Sequence, residues 1–301
     1  MKCPYLQQAE VQYCRNSVFR KMIVRTPEKV AGERCSSAAY TGCGVYREQG
    51  GNGEAGEVCP FLAETEVEYC AAAPVTKYVP SRASAFSRCA GERYRYCDWY
   101  LRAREGAGGG NEEAREHWVH GIRVPNWLYY ASNHMWLDMA EDGTCHLGID
   151  GFLAKVLGRV ERVSFLTLEG AALAAVVLTA HGMDVQAVFP NPVAVTGLNQ
   201  QLRGEPERLI ADPYRRGWLF EGAEPVLMGL IAGMEAPDWM GRELERLGRF
   251  AQEHPGAGPA LEYSCMADGG ILHPQLAERL DREERFQLWH EFFSPYGKRE
   301  A

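Results

Sequence analysis

Lysine is scarce in this chain, and between Val156 and Gly297 it is absent. No side chain in that stretch offers a primary amine for an amide linkage. There is no run of about 18 or more apolar residues, which excludes a membrane-spanning helix. The N-terminus, Met1-Lys2-Cys3-Pro4-Tyr5-Leu6, lacks the apolar run of a secretion signal, so the expected location is cytoplasmic. No Ser/His/Asp set, carboxylate pair or phosphate loop stands out. The glycine run from Gly106 to Asn111 has no strand before it and no Lys-Ser/Thr after it. A non-enzymatic protein is therefore expected. Excess positive charge is missing too. Residues 1–105 hold 15 Lys plus Arg against 12 Asp plus Glu, and the remainder holds 17 against 28. An acidic body of this kind argues against nucleic acid as a partner.

What is present is a soluble composition, 46% hydrophobic and 24% charged over 301 residues, long enough for more than one domain. Eight of the ten cysteines fall in two copies of one pattern. The first copy runs Cys3-Pro4-Tyr5-Leu6, Glu10-Val11, Tyr13-Cys14, Arg34-Cys35, Tyr40, Cys43, Tyr46. The second runs Cys59-Pro60-Phe61-Leu62, Glu66-Val67, Tyr69-Cys70, Arg88-Cys89, Tyr94, Cys97, Tyr100. Only the middle gap differs, by two residues, so the two are a duplicated structural unit. Modules are expected at residues 1–48 and 59–104, separated by Gly50-Gly51-Asn52-Gly53, with a second tether at Gly106–Asn111.

Units this small usually need a staple. Disulfides are disfavoured in a reducing compartment. Four thiolates per copy, with no histidine before His117, suit zinc or an iron–sulfur cluster. The candidate metal ligands are Cys3, Cys14, Cys35, Cys43, Cys59, Cys70, Cys89 and Cys97. No Cys-x-x-Cys knuckle is among them. One cluster per copy therefore requires the chain to fold back inside each pair, with Pro27, Pro74 and Pro80 placed to allow it, or ligands drawn from opposite ends of the unit. The alternative is a set of small buried thiols packed beside the tyrosines.

Beyond the second tether the chain reads as short strands and turns. Asp142-Gly143 is a hairpin turn ahead of an alternating strand Thr144–Ile149. Asp150 caps a short helix over Phe152, Leu153 and Val156 that Gly158 closes. Val160, Val163 and Phe165 mark a strand, and Ala174–Thr179 and Val185–Phe189 flank a hairpin at Ala180–Asp184. Pro190 and Pro192 belong at an edge or turn. Cys145 reads as core, and His117 and His120 as surface.

Along Trp127–Phe220 the ordered marks are Tyr130, His134-Met135-Trp136-Leu137, Gly148-Ile149-Asp150, Leu157-Gly158-Arg159-Val160, Pro190, Asn199, Asp212-Pro213-Tyr214 and Gly217-Trp218-Leu219. In that order and at those gaps they resemble the H-protein of the glycine cleavage system. The resemblance implies a lipoyl-type β sandwich at 117–223. It also implies a hairpin lysine that receives lipoate, and an arm that shuttles between partner enzymes. Counting back from Asn199 through Pro190 puts Gly182 at the lysine's place, and a shift of one puts His181 there. Neither carries a primary amine, so no lipoate is expected. Leu178 and Thr179 stand near where the family has a glutamate, and Pro190-Asn191-Pro192-Val193 replaces the family's Pro-Val-Ser-Gly. His181 reads as an exposed turn residue.

Residues 224–301 exceed the extent of the resemblance. Leu227, Leu230, Ile231 and Met234 repeat at helical spacing, as do Met240, Leu244 and Leu247, with Pro237 between the two expected helices. Asp281 with Glu284 forms a capping box for a helix presenting Phe286, Trp289 and Phe293 toward the middle domain. Cys265 and His273, in the loop Ser264–Pro274, carry no ligand pattern.

The fold class expected is multi-domain α+β: a β-rich lipoyl/biotinyl-carrier-type sandwich, two small cysteine-rich modules before it and a helical extension after it. The function expected is a non-lipoylated H-protein-like scaffold or adapter with two four-cysteine metal modules, working with protein partners in a redox or glycine-cleavage-like assembly. A true carrier, and a thiol or metal redox sensor, are the alternatives.

Overall fold

The computed structural model describes residues 2–17, 22–24, 33–49, 56–75, 77–79, 88–106, 116–168, 172–254 and 276–294. Both expected tethers lie almost wholly outside these residues. So do Pro27, Pro80 and the loop with Cys265 and His273. The chain forms two compact units, Met1–Ala103 and Arg104–Ala301.

In the first unit, β1 (Leu6–Cys14), β2 (Met22–Val24) and α1 (Gly44–Glu48) come from the first cysteine copy. From the second come β3 (Leu62–Cys70), β4 (Lys77–Val79) and α2 (Asp98–Gly106), in whose last turns the unit ends. The copies set out above as separate modules share one antiparallel sheet, ordered β2-β1-β3-β4. β1 and β3 pair over their full length, from Leu6↔Cys70 to Cys14↔Leu62. The run Glu-Val-x-Tyr-Cys in each copy makes this possible: a β-branched and an aromatic residue alternate with polar ones, a pattern that fits a half-buried strand.

The second unit opens with the hairpin β5 (Glu116–Val119) and β6 (Ile122–Pro125). β7 (Tyr129–Tyr130), β8 (Met135–Met139) and β9 (Thr144–Ile149) follow, then α3 (Gly151–Leu157) and β10 (Arg162–Phe165). β11 (Ala175–Ala180), β12 (Met183–Val188), β13 (Ala194–Leu198), α4 (Arg208–Ala211) and β14 (Phe220–Ala223) complete the part matched by the resemblance. The extension supplies β15 (Ile231–Ala232), α5 (Ala236–Glu253), α6 (Leu276–Arg279) and α7 (Arg282–Phe292). A six-stranded sheet, β13-β14-β9-β8-β7-β15, and a three-stranded sheet, β10-β11-β12, hold the core, with Phe165 edge-on to Phe220 at 5.5 Å.

Two expectations need correction here. The strand Thr144–Ile149 does not alternate: Cys145 through Ile149 are all buried. β9 lies inside the six-stranded sheet, so even His146, where alternation would place a solvent-facing residue, is buried, edge-on to Trp218 at 5.1 Å. Gly148 leaves room for the ring of Trp136, which a Cβ there would meet at 2.6 Å. The first tail helix does not form. Ile231 and Ala232 pair with Tyr130 and Tyr129 as an edge strand. Gly229 has a φ of +78°, and Gly233 presses on the Asn126 backbone so closely that no Cβ fits. Pro237 then opens α5 in its first turn rather than separating two helices.

Asp150 caps α3 by accepting from the Leu153 N–H at 2.9 Å, and Gly158 ends it with φ +65°. The capping box of Asp281 and Glu284 starts α7. The face of α7 that packs inward is Leu288, Phe292 and the following Phe293, whereas Phe286 stays exposed. Among the described residues no helix is long and apolar enough to cross a membrane.

Candidate functional site

The β11–β12 hairpin closes on a two-residue turn. Ala180 pairs with Met183, leaving His181 and Gly182 between them with φ of +50° and +71°. Two successive left-handed residues make the tight turn that matches strand twist, and a glycine in the second place removes the steric cost. A Cβ built on Gly182 meets nothing within 4 Å. The turn is tied down through its neighbour. The His181 imidazole Nε2 lies 2.8 Å from the Leu157 carbonyl oxygen at the end of α3. Arg285 of α7 donates from Nη1 to the His181 carbonyl at 2.9 Å. A small cavity beside the turn is lined by Leu157, His181, Met183, Arg285 and Trp289. His181 is thus a half-buried anchor rather than the exposed turn residue expected from the sequence.

A buried charge cluster lies under the extension. His134, with φ +62°, is fully buried, its Nδ1 2.8 Å from Asp150 Oδ2. On its other side Nε2 stands 3.4 Å from Glu243 Oε2, an ion pair longer than an ideal hydrogen bond. The ring is stacked between Phe152 at 4.1 Å and Trp239 at 4.9 Å. Burial alone would disfavour the charged ring, but Asp150 and then Glu243 outweigh it and hold the pKa above the ordinary histidine value. The His134 ring, between the Asp150 and Glu243 carboxylates, links helix α5 to the sandwich.

The eight cysteines of the repeats lie in the first unit. Cys3 and Cys59 are buried, and Cys14, Cys35, Cys43, Cys70, Cys89 and Cys97 are half-buried. The structure does not bring the cysteines of one copy together at the strand: Cys3 and Cys14 lie beyond and at opposite ends of β1, which spans roughly 30 Å at about 3.3 Å per residue. Among the described residues no three His, Cys, Asp or Glu side chains stand, as placed, where they could hold a metal ion. Cys145 is core, and burial pushes its thiol up to about 12. His117 and His120 are exposed.

The family model of the glycine cleavage H-protein matches residues 128–223. The glycine cleavage system H protein of Neisseria gonorrhoeae is 36% identical over 102 residues, which cover 33% of this chain and 76% of that protein. The H protein of Mycolicibacterium smegmatis is 33% identical over 103 residues, covering 33% of this chain and 77% of that protein. A crystal structure of a glycine cleavage system H protein from Mycobacterium marinum aligns over 39% of this chain and 99% of that chain, with 21% identity and a TM-score of 0.33. Through the segment bearing the His134 cluster and the β11–β12 hairpin, the chain belongs to the glycine cleavage H-protein family.

Proposed function

We propose that this chain is a non-lipoylated H-protein-like scaffold, an adapter subunit of a redox or multi-enzyme assembly, whose N-terminal cysteine repeats hold metal. The observation that carries the first part is the β11–β12 turn. Lipoate is attached through an amide to a primary amine, and the turn consists of His181 and Gly182. The imidazole faces the Leu157 carbonyl, and Gly182 has no side chain, so the residues present do not fit the group. The turn backbone is also held by Arg285 from the extension, where a carrier arm needs freedom to swing. Lys155 precedes the long lysine-free stretch, and it sits on α3 rather than on the hairpin. Burial lowers its pKa. With no reacting constellation identified, the reading is non-enzymatic, and protein partners follow from the scaffold role.

The family match supports the H-protein-like part of this reading, and the rival within the same family is a true lipoyl carrier. Intact mass spectrometry separates the two. After co-production with a lipoate ligase and excess lipoate, the expected mass is that of the unmodified polypeptide. A lipoyl adduct on the chain would establish the carrier.

A further inference from the structure

We propose that the first unit holds two tetrathiolate zinc sites, each assembled across the repeats. Cys3 joins Cys70, Cys89 and Cys97 in one, and Cys59 joins Cys14, Cys35 and Cys43 in the other. This rests on the reading that the repeats bind metal, and goes further by stating which thiols share an ion.

The backbone sets the exchange. In the β1–β3 ladder, Leu6 lies opposite Cys70 at one end and Leu62 opposite Cys14 at the other. Each ladder is extended by one further bond, Ala71 N–H to the Tyr5 carbonyl and Arg15 N–H to the Phe61 carbonyl, both 2.9 Å. The Cys-Pro-aromatic-Leu segment ahead of each strand then turns back on itself, Leu6 N–H donating to Cys3 O and Leu62 N–H to Cys59 O, each at 3.0 Å. The first cysteine of each copy is thereby carried to the strand end where the other copy's second cysteine sits. From there Cys3 N–H donates to the Cys89 carbonyl and Cys59 N–H to the Cys35 carbonyl, again both at 2.9 Å. The bonds of the two halves match in partners and length, as a twofold arrangement of the duplicate demands.

The aromatic residues exchange in the same sense, independently of any sulfur. Tyr5 of the first copy packs edge-on at 6.0 Å against Tyr100 of the second, which meets Tyr94 at 4.8 Å. Phe61 of the second copy packs 6.0 Å from Tyr46 of the first, which meets Tyr40 at 4.9 Å. Cys59 belongs to that second cluster, with Cys35 and Cys43 packed against it.

Proximity agrees with the grouping. Cys59, Cys43 and Cys14 all lie near enough to Cys35 to interact with it, as Cys70 and Cys97 do with Cys3. Four thiols gathered in this way suit a divalent cation, which binds them as thiolates and releases their protons to solvent. As placed, the sulfurs of neither group stand where three could hold an ion, so metal binding at about 2.3 Å requires the cysteine side chains to turn toward a common centre. A single zinc ion needs only those four sulfurs, and it staples strand end, turn and helix start at each end of a thin sheet.

Metal analysis of the full chain, purified without oxygen or chelator, tests this with paired variants. About two zinc per chain are expected. Cys3→Ser, Cys70→Ser and the Cys3→Ser/Cys70→Ser double variant should each retain about one, because both residues serve the same ion, whereas Cys3→Ser/Cys14→Ser should retain none. The reverse, with Cys3→Ser/Cys14→Ser keeping one ion and Cys3→Ser/Cys70→Ser losing both, would overturn the exchange while leaving metal binding intact. Wild-type protein free of metal would overturn metal binding itself, and iron with acid-labile sulfide would overturn the choice of zinc. Mild oxidation of zinc-loaded wild-type chain gives a second readout that no misfolded variant can confuse. Disulfides should join Cys3 to Cys70, Cys89 or Cys97, and a Cys3–Cys14 bridge would contradict the assignment.

Discussion

His134 sits between Asp150 and Glu243 without surface exposure, and replacing any member leaves the others buried without their partner. His134→Ala should cost about 3–5 kcal/mol of stability in urea unfolding. Glu243→Gln should cost less, since it keeps a polar partner facing the ring. The pH dependence follows from the raised pKa. A histidine that holds its proton more tightly when folded contributes stability that is fully present below its unfolded pKa of about 6.5 and is lost as pH rises through the folded value. Wild-type stability should therefore fall as pH is raised through that window, and fall less in Glu243→Gln. Equal slopes would contradict the role given to Glu243. Part of this cluster was legible in the sequence, because His134 and Asp150 both stand among the residues of the family resemblance. Glu243 was missed, although it lies at i+3 from Met240 on the stripe with Leu244 and Leu247, where a carboxylate has no reason to be unless something polar meets it.

At the scale of elements, local signals worked wherever the chain has only local choices. Asp150 and Gly158 bound α3 as expected, and Asp142-Gly143 turns into β9. They failed at Leu227–Met234. The apolar spacing there fits a helix, yet Gly229, Gly233 and an open edge at β7 favour a two-residue strand. A pairing partner distant in sequence decided the outcome, and periodicity cannot register it. The hairpin illustrates a similar limit. Its turn was located, but the anchoring by Arg285 comes from about a hundred residues downstream. Arg285→Ala should leave global stability within roughly 1–2 kcal/mol of wild type while speeding hydrogen exchange at the His181 and Gly182 amides. Unchanged exchange at the turn would show that Arg285 does not hold it.

Across the whole molecule, the duplication was evident from spacing alone, whereas the exchange between copies was not. Two equal halves can pair cysteines within or across copies, and it takes the β1–β3 register with the backbone bonds and ring contacts beside it to distinguish the two. Because each unit has its own sheet and core, removing metal should act on one of them. A chelator under reducing conditions should lower the unfolding transition of Met1–Ala103 and leave that of the sandwich in place. A single shared shift in calorimetry would argue otherwise. The lysine-free stretch allows one decisive test of the scaffold reading. Trypsin cuts after Arg162 and next after Arg203, so one peptide carries the entire β11–β12 hairpin, and a second cut falls at Lys155. After incubation with lipoate, ATP and a lipoylating enzyme that modifies an authentic H protein in the same tube, peptide Val163–Arg203 should appear at its unmodified mass, with cleavage at Lys155 intact. A lipoyl group on either site would contradict the proposed non-lipoylated scaffold.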